Sequence, residues 1–94
     1  MRIMKSPQLR FDDKRFLFEF DDERIIVYFD GSTDIFDFSG VPDGEIDSSM
    51  IETILALNPI ISAKKESGVL SVELVNFISE DATEAEKFPE WMEV

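Results

Sequence analysis

Ninety-four residues with 44% hydrophobic content and nine Phe supply enough apolar side chain for one small domain spanning 1–94, which excludes a disordered chain despite the charge. The absence of Cys and His removes disulfides, thiolate chemistry, the commonest general base and the usual ligands for soft metals. The net charge of −12 divides into five bases against two acids over residues 1–15 and four bases against nineteen acids over 16–94, so nearly all of the chain would repel a phosphate backbone.

Residues 1–15, opening MRIMKSPQLRF, read as a basic N-terminal segment expected to be partly mobile. No apolar stretch follows its charges, so a secretory signal is not expected. No run approaches the ~20 apolar residues of a membrane-spanning helix. The β body is predicted over 16–78. Phe16, Phe18 and Phe20 alternate with Leu17, Glu19 and Asp21, the period of a half-buried strand. Asp21-Asp22-Glu23 breaks it. Arg24–Phe29 is β-branched and aromatic throughout, as in a central strand covered on both faces. Asp30-Gly31 is a hairpin signal, and Thr33–Phe38 resumes the alternation, so 16–38 is predicted to be a three-stranded meander.

Residues 39–49, SGVPDGEIDSS, read as loop. Residues 50–57 fit two states. Ser49 with Glu52 forms a capping box and Ile51, Ile54 and Leu55 share a helical face, yet Asn58-Pro59 leaves room for two turns at most. Flanking strands favour a strand there; a helix over 49–57 is the α+β alternative. Ile60–Lys65 is predicted to pair with Val69–Ile78 across Glu66-Ser67-Gly68, with Lys64 and Lys65 as deterrents on an edge strand. Residues 79–94 form an acidic closure, in which Asp81 N-caps one short helical turn with Glu84 at the third position. The expected class is mainly β: a small antiparallel sheet of about five to seven strands with one short C-terminal helical turn.

Two stretches, NPIISAKKESGVLSVELVNFI followed by SEDATEAEKFPEW, resemble small uncharacterised proteins encoded in the tail-gene region of phages and prophages of Gram-positive bacteria. IFDFSGVPDGE is similar to their middle segment, and the resemblance covers roughly residues 25–93. It implies a virion-associated or tail-module role, synthesis in the host cytoplasm and no catalytic residue to carry over.

Candidate sites are few. Paired carboxylates could support glycosidase-type catalysis, but that chemistry needs a cleft for which so small a domain rarely has room, and no enzyme activity is expected. Asp30-Gly31-Ser32-Thr33-Asp34 and Asp43-Gly44-Glu45-Ile46-Asp47 set oxygens at alternate positions near Gly, but the Ca²⁺-loop pattern fails. Starting from Asp43, position six is Ser48 and position twelve Ile54. Turns, without metal or cofactor, are the simpler reading. Phe88 and Trp91 are expected to fold back as a lid on the core; if exposed, they mark the place for a partner. Arg10, Lys14 and Arg15 would contact an acidic partner or a second copy, or pair locally with Asp12 and Asp13.

The expected function is a non-enzymatic interaction or structural accessory role in a tail module. It would act through a β surface or edge strand on a larger protein, or on further copies in a homo-oligomer, with no nucleic-acid or membrane partner. The alternative is an acidic, DNA-mimicking decoy for a host protein. That would array carboxylates at phosphate-like spacings, whereas the acids here are scattered among turns.

Overall fold

A computed structural model describes residues 1–94 and shows the mainly-β class, with eight strands in two sheets, one α-helical turn and one 3₁₀ turn. The meander is present as a separate three-stranded sheet: β2 (Leu17–Asp21), β3 (Arg24–Phe29) and β4 (Ser32–Asp37), with β3 in the centre. Asp30-Gly31 adopts positive φ at both residues (51° and 82°), the two-residue turn whose twist matches antiparallel strands. Ile25, Val27 and Phe29 are buried on one face of β3. Its other face, with Ile26 and Tyr28, is only half-buried because no element packs over it, so the expected two-sided cover is not found.

The second sheet has the order β5-β6-β7-β1-β8, built from β1 (Arg2–Leu9), β5 (Gly44–Asp47), β6 (Ile60–Glu66), β7 (Val69–Ile78) and β8 (Met92–Glu93). The basic N-terminal segment is therefore largely a strand. β1 pairs with β7 over its whole length and in parallel, the one parallel pair in the fold. Ile3, Val72 and Ala63 stand side by side across three strands, all buried. The pattern of β1 hides this role, because only Ile3 is fully buried while Lys5, Ser6 and Gln8 read as solvated.

Pro7 fits β1 for a reason visible in the register. The Arg10 N–H donates to Ile78 of β7, and the Met1 carbonyl accepts from Val94 on the opposite side. By alternation, Pro7 turns its missing N–H toward the side where β8 has already ended, since β8 reaches only Arg2 and Ile3. The proline thus blunts an open sheet edge without breaking a ladder bond.

The two sheets face each other across one core. Ile25, Val27, Phe29, Phe36 and Phe38 from the small sheet pack against Ile3, Leu70, Val72 and Leu74 from the large one. Phe16 closes one end, its ring 4.5 Å from Phe29 and stacked at 5.0 Å on Phe77. At the rim, Lys65 of β6 reaches Glu23 in the β2–β3 turn at 3.0 Å, tying sheet to sheet.

Three local expectations are corrected. Residues 50–57 are neither strand nor two-turn helix: a 3₁₀ turn at Ser48–Met50 is followed by irregular chain. Asp47, not Ser49, caps that turn. The Asn58 amide then spans the loop to the Ser48 and Ile51 carbonyls, and Leu55 anchors it in the core. Residues 44–47, expected in a loop, form β5 and cover the edge of β6, so Lys64 and Lys65 lie on an interior strand. The helical cap falls two residues later than expected, at Thr83, because Asp81 is held by the Ser79 hydroxyl instead.

Glu23→Gln leaves the Lys65 ammonium, with its side chain 11% exposed, short of its counter-charge. The expected cost is about 1–2 kcal/mol in urea unfolding, most of it recovered in Glu23→Gln/Lys65→Met.

Candidate functional site

The C-terminal closure is built locally before it touches the sheet. Thr83 accepts from the Glu86 N–H while the Glu86 carboxylate accepts from the Thr83 N–H, a reciprocal capping box that starts α1 (Glu84–Lys87). Pro89 then stops the helix, and the chain returns along β1 to form β8. The last residues are secured by the Val94 N–H donating to the Met1 carbonyl at 2.9 Å and by Arg2, whose guanidinium lies 5.3 Å from the Trp91 ring centre.

This path leaves both aromatics outside the core. Phe88 is 75% exposed and Trp91 41% exposed, which corrects the expected lid. The physical reason is occupancy: the inner face of the large sheet, around Ile3, Val72 and Leu74, is already sealed by the small sheet. No apolar surface is left there for Phe88 to cover. The two rings instead line an open groove of roughly 750 Å³ together with Glu84, Glu86, Glu90 and Lys5. Among these, only Phe88 and Trp91 were expected as contact residues. The surrounding carboxylates were signalled by the six acids against one lysine in residues 79–94, but their convergence on one groove depends on how the chain returns.

The basic candidates do not join them. Arg10, Lys14 and Arg15 follow the far end of β1, whereas Trp91 lies beside its start; seven residue steps of strand separate the ends by about 23 Å. Arg10 donates to Asp12 at 2.6 Å and covers the Phe77 ring at 4.8 Å. Lys14 pairs with Asp30 at 3.1 Å, and Arg15 donates to the Asp12 and Lys14 carbonyls. Each base is engaged within its own chain.

Much of the acidity has a structural use. Asp43 accepts from the N–H groups of Ser67 and Gly68, fixing the β6–β7 turn, and Asp37 accepts from the Ser39 N–H and hydroxyl. Asp34 accepts from the Thr53 hydroxyl at 2.7 Å and from the Ile54 and Ile35 N–H groups. Partial desolvation pushes the Asp34 carboxyl up, but these donors outweigh it and hold it below the usual carboxylate range. The Ser39 hydroxyl lowers Asp37, the Arg10 guanidinium lowers Asp12, and the Ser79 hydroxyl lowers Asp81. Of the two segments that resembled cation loops, only Asp30-Gly31 is a turn, since Ser32–Asp34 lies in β4 and Gly44–Asp47 is β5; Asp34, Asp43 and Asp47 accept from backbone N–H groups, and Asp30 pairs with Lys14.

No helix is long and apolar enough to cross a membrane. No family model matches the chain, and no curated protein or solved structure is significantly similar to it.

A carboxyl whose folded pKa lies below its unfolded value of about 3.9 stabilises the fold above that pH and stops doing so as pH falls through the folded pKa. Stability is therefore expected to hold down to about pH 4 and decline below it. Asp34→Asn should cost about 1 kcal/mol at neutral pH and flatten the acid limb, as followed by circular dichroism across pH 2–7.

Proposed function

We propose that this chain is a non-enzymatic protein-interaction module that docks a partner through the Phe88–Trp91 groove, and that its setting is a phage or prophage tail region. The observation that carries the docking reading is the exposure of two large aromatics on a segment held rigid at both ends. The capping box fixes α1 on one side, and pairing to β1 fixes β8 on the other. Aromatic side chains presented on a preordered backbone lose little freedom on binding, which is how interface anchors behave. Pro7 withholds an N–H from the neighbouring edge of β1, which supports docking by side chains in the groove over strand addition there. The groove offers aromatic rings, carboxylates and one lysine, a lining suited to binding rather than to nucleophilic chemistry. The tail-module setting draws on the resemblance of residues 25–93.

The decoy alternative draws less support. Asp34, Asp37, Asp43 and Asp47 accept from turn donors of their own chain, so they are placed by loop geometry rather than by a phosphate-like repeat.

Phe88→Ala/Trp91→Ala is expected to unfold within about 1 kcal/mol of the parent, because neither ring belongs to the core. Mass spectrometry of purified particles and light scattering after gel filtration should show the parent with a tail component and the double variant without it. A strictly monomeric parent that accompanies no tail component would sink the proposal.

A further inference from the structure

Resting on the docking reading above, we infer that the groove selects a cationic peptide segment of another protein, one that brings a Lys or Arg side chain between Trp91 and the Glu84 and Glu90 carboxylates. Three observations converge on that chemistry. First, the groove lining combines aromatic rings with carboxylates: Glu84 and Glu90 take part in no ion pair, and Lys5 is the only base lining it. Second, the indole already takes a cation within the chain, since the Arg2 guanidinium lies over it at 5.3 Å while the ring stays 41% exposed. The same ring attracts a second cation from the solvent side by the same quadrupole.

Third, a second copy of this chain is a poor occupant. Six of the nine bases are held in ion pairs: Arg2, Arg10, Lys14, Arg24, Lys64 and Lys65. Arg15 is bound to two carbonyls, and the Lys5 ammonium lies 5.7 Å from the Phe18 ring centre. Only Lys87 remains, at the end of α1 and beside the groove itself. With a net charge of −12, copies repel one another, whereas a basic segment is drawn in over several ångströms. The charge that a partner must carry is therefore not supplied by this chain.

Trp91 is the chain's only tryptophan, so its fluorescence reports the groove alone. The probe is a peptide of about twelve residues alternating Lys and Val, beside the same peptide with Gln for Lys. The full chain is expected to bind the Lys peptide about tenfold more tightly than the Gln peptide, and less tightly as NaCl rises from about 50 to 300 mM. Glu84→Gln/Glu90→Gln should weaken the Lys peptide about fivefold or more, while Glu45→Gln/Glu52→Gln, equal in charge but on or beside β5 at the opposite edge of the large sheet, should change it less than about twofold. Equal loss in both double variants would reduce the effect to overall charge and overturn the inference, as would failure of the Lys peptide to bind. Equal affinity for both peptides, with loss in Phe88→Ala, would overturn the cationic preference and leave the docking reading standing. The docking reading itself falls if the parent accompanies no tail component, or if Phe88→Ala/Trp91→Ala still accompanies it.

Discussion

The parallel seating of β1 against β7 is the contact on which the other parts depend. It carries Ile3 into the row with Val72 and Ala63, and so completes the inner face that the small sheet covers. It also makes a strand for β8 to join, because β8 pairs with β1 and nothing else. Without β1, the large sheet would end at β7 and the C-terminal closure would have no edge to return to. The N-terminal eight-residue strand thus links the core at one face to the proposed docking groove at the other end of the chain.

A second constraint is the surplus of acid. A small domain with this charge balance must place its carboxylates where they do not oppose folding, and several of them serve turns and loops. Asp12, Asp34, Asp37, Asp43 and Asp47 accept from N–H groups that hairpins and loops leave without ladder partners. Charge-assisted bonds of this kind order the connections while adding net negative charge to the surface. Six of the nine bases are then drawn into ion pairs elsewhere in the chain, and Glu84, Glu86 and Glu90 of the groove are left without one. The proposed taste for a cationic partner follows from that imbalance.

The closure at residues 83–93 shows how a rigid segment can display apolar rings without destabilising the fold. Its order comes from the side chain–backbone bonds of the capping box and the backbone pairing of β8, not from burial of Phe88. Phe88 is therefore free of packing duty, Trp91 keeps its contact with Arg2, and neither ring belongs to the core. That separation between what holds the segment and what the segment presents is the basis of the functional proposal.

Local chemistry was enough for the meander, the β6–β7 hairpin and the mainly-β class. Alternating Phe, β-branched runs and Asp-Gly or Ser-Gly turns act over two to six residues, and short-range sterics settle them. Phe88 and Trp91 also stood out in the sequence as candidate contact residues. What stayed hidden were features set by distant neighbours. β1 looks polar because only Ile3 meets the core, and β5 looks like loop because its four residues become a strand only beside β6. Residues 50–57 carry a helix-like pattern, yet Asp34 reaches in from β4 and Asn58 bonds back from the loop's own end, and together they hold it irregular. The same reason separates lid from groove: whether Phe88 is buried depends on vacant apolar surface elsewhere, and the small sheet had already filled it. Strand pairing and burial are long-range outcomes of the whole chain, so composition named the aromatics and only the packed fold could expose them.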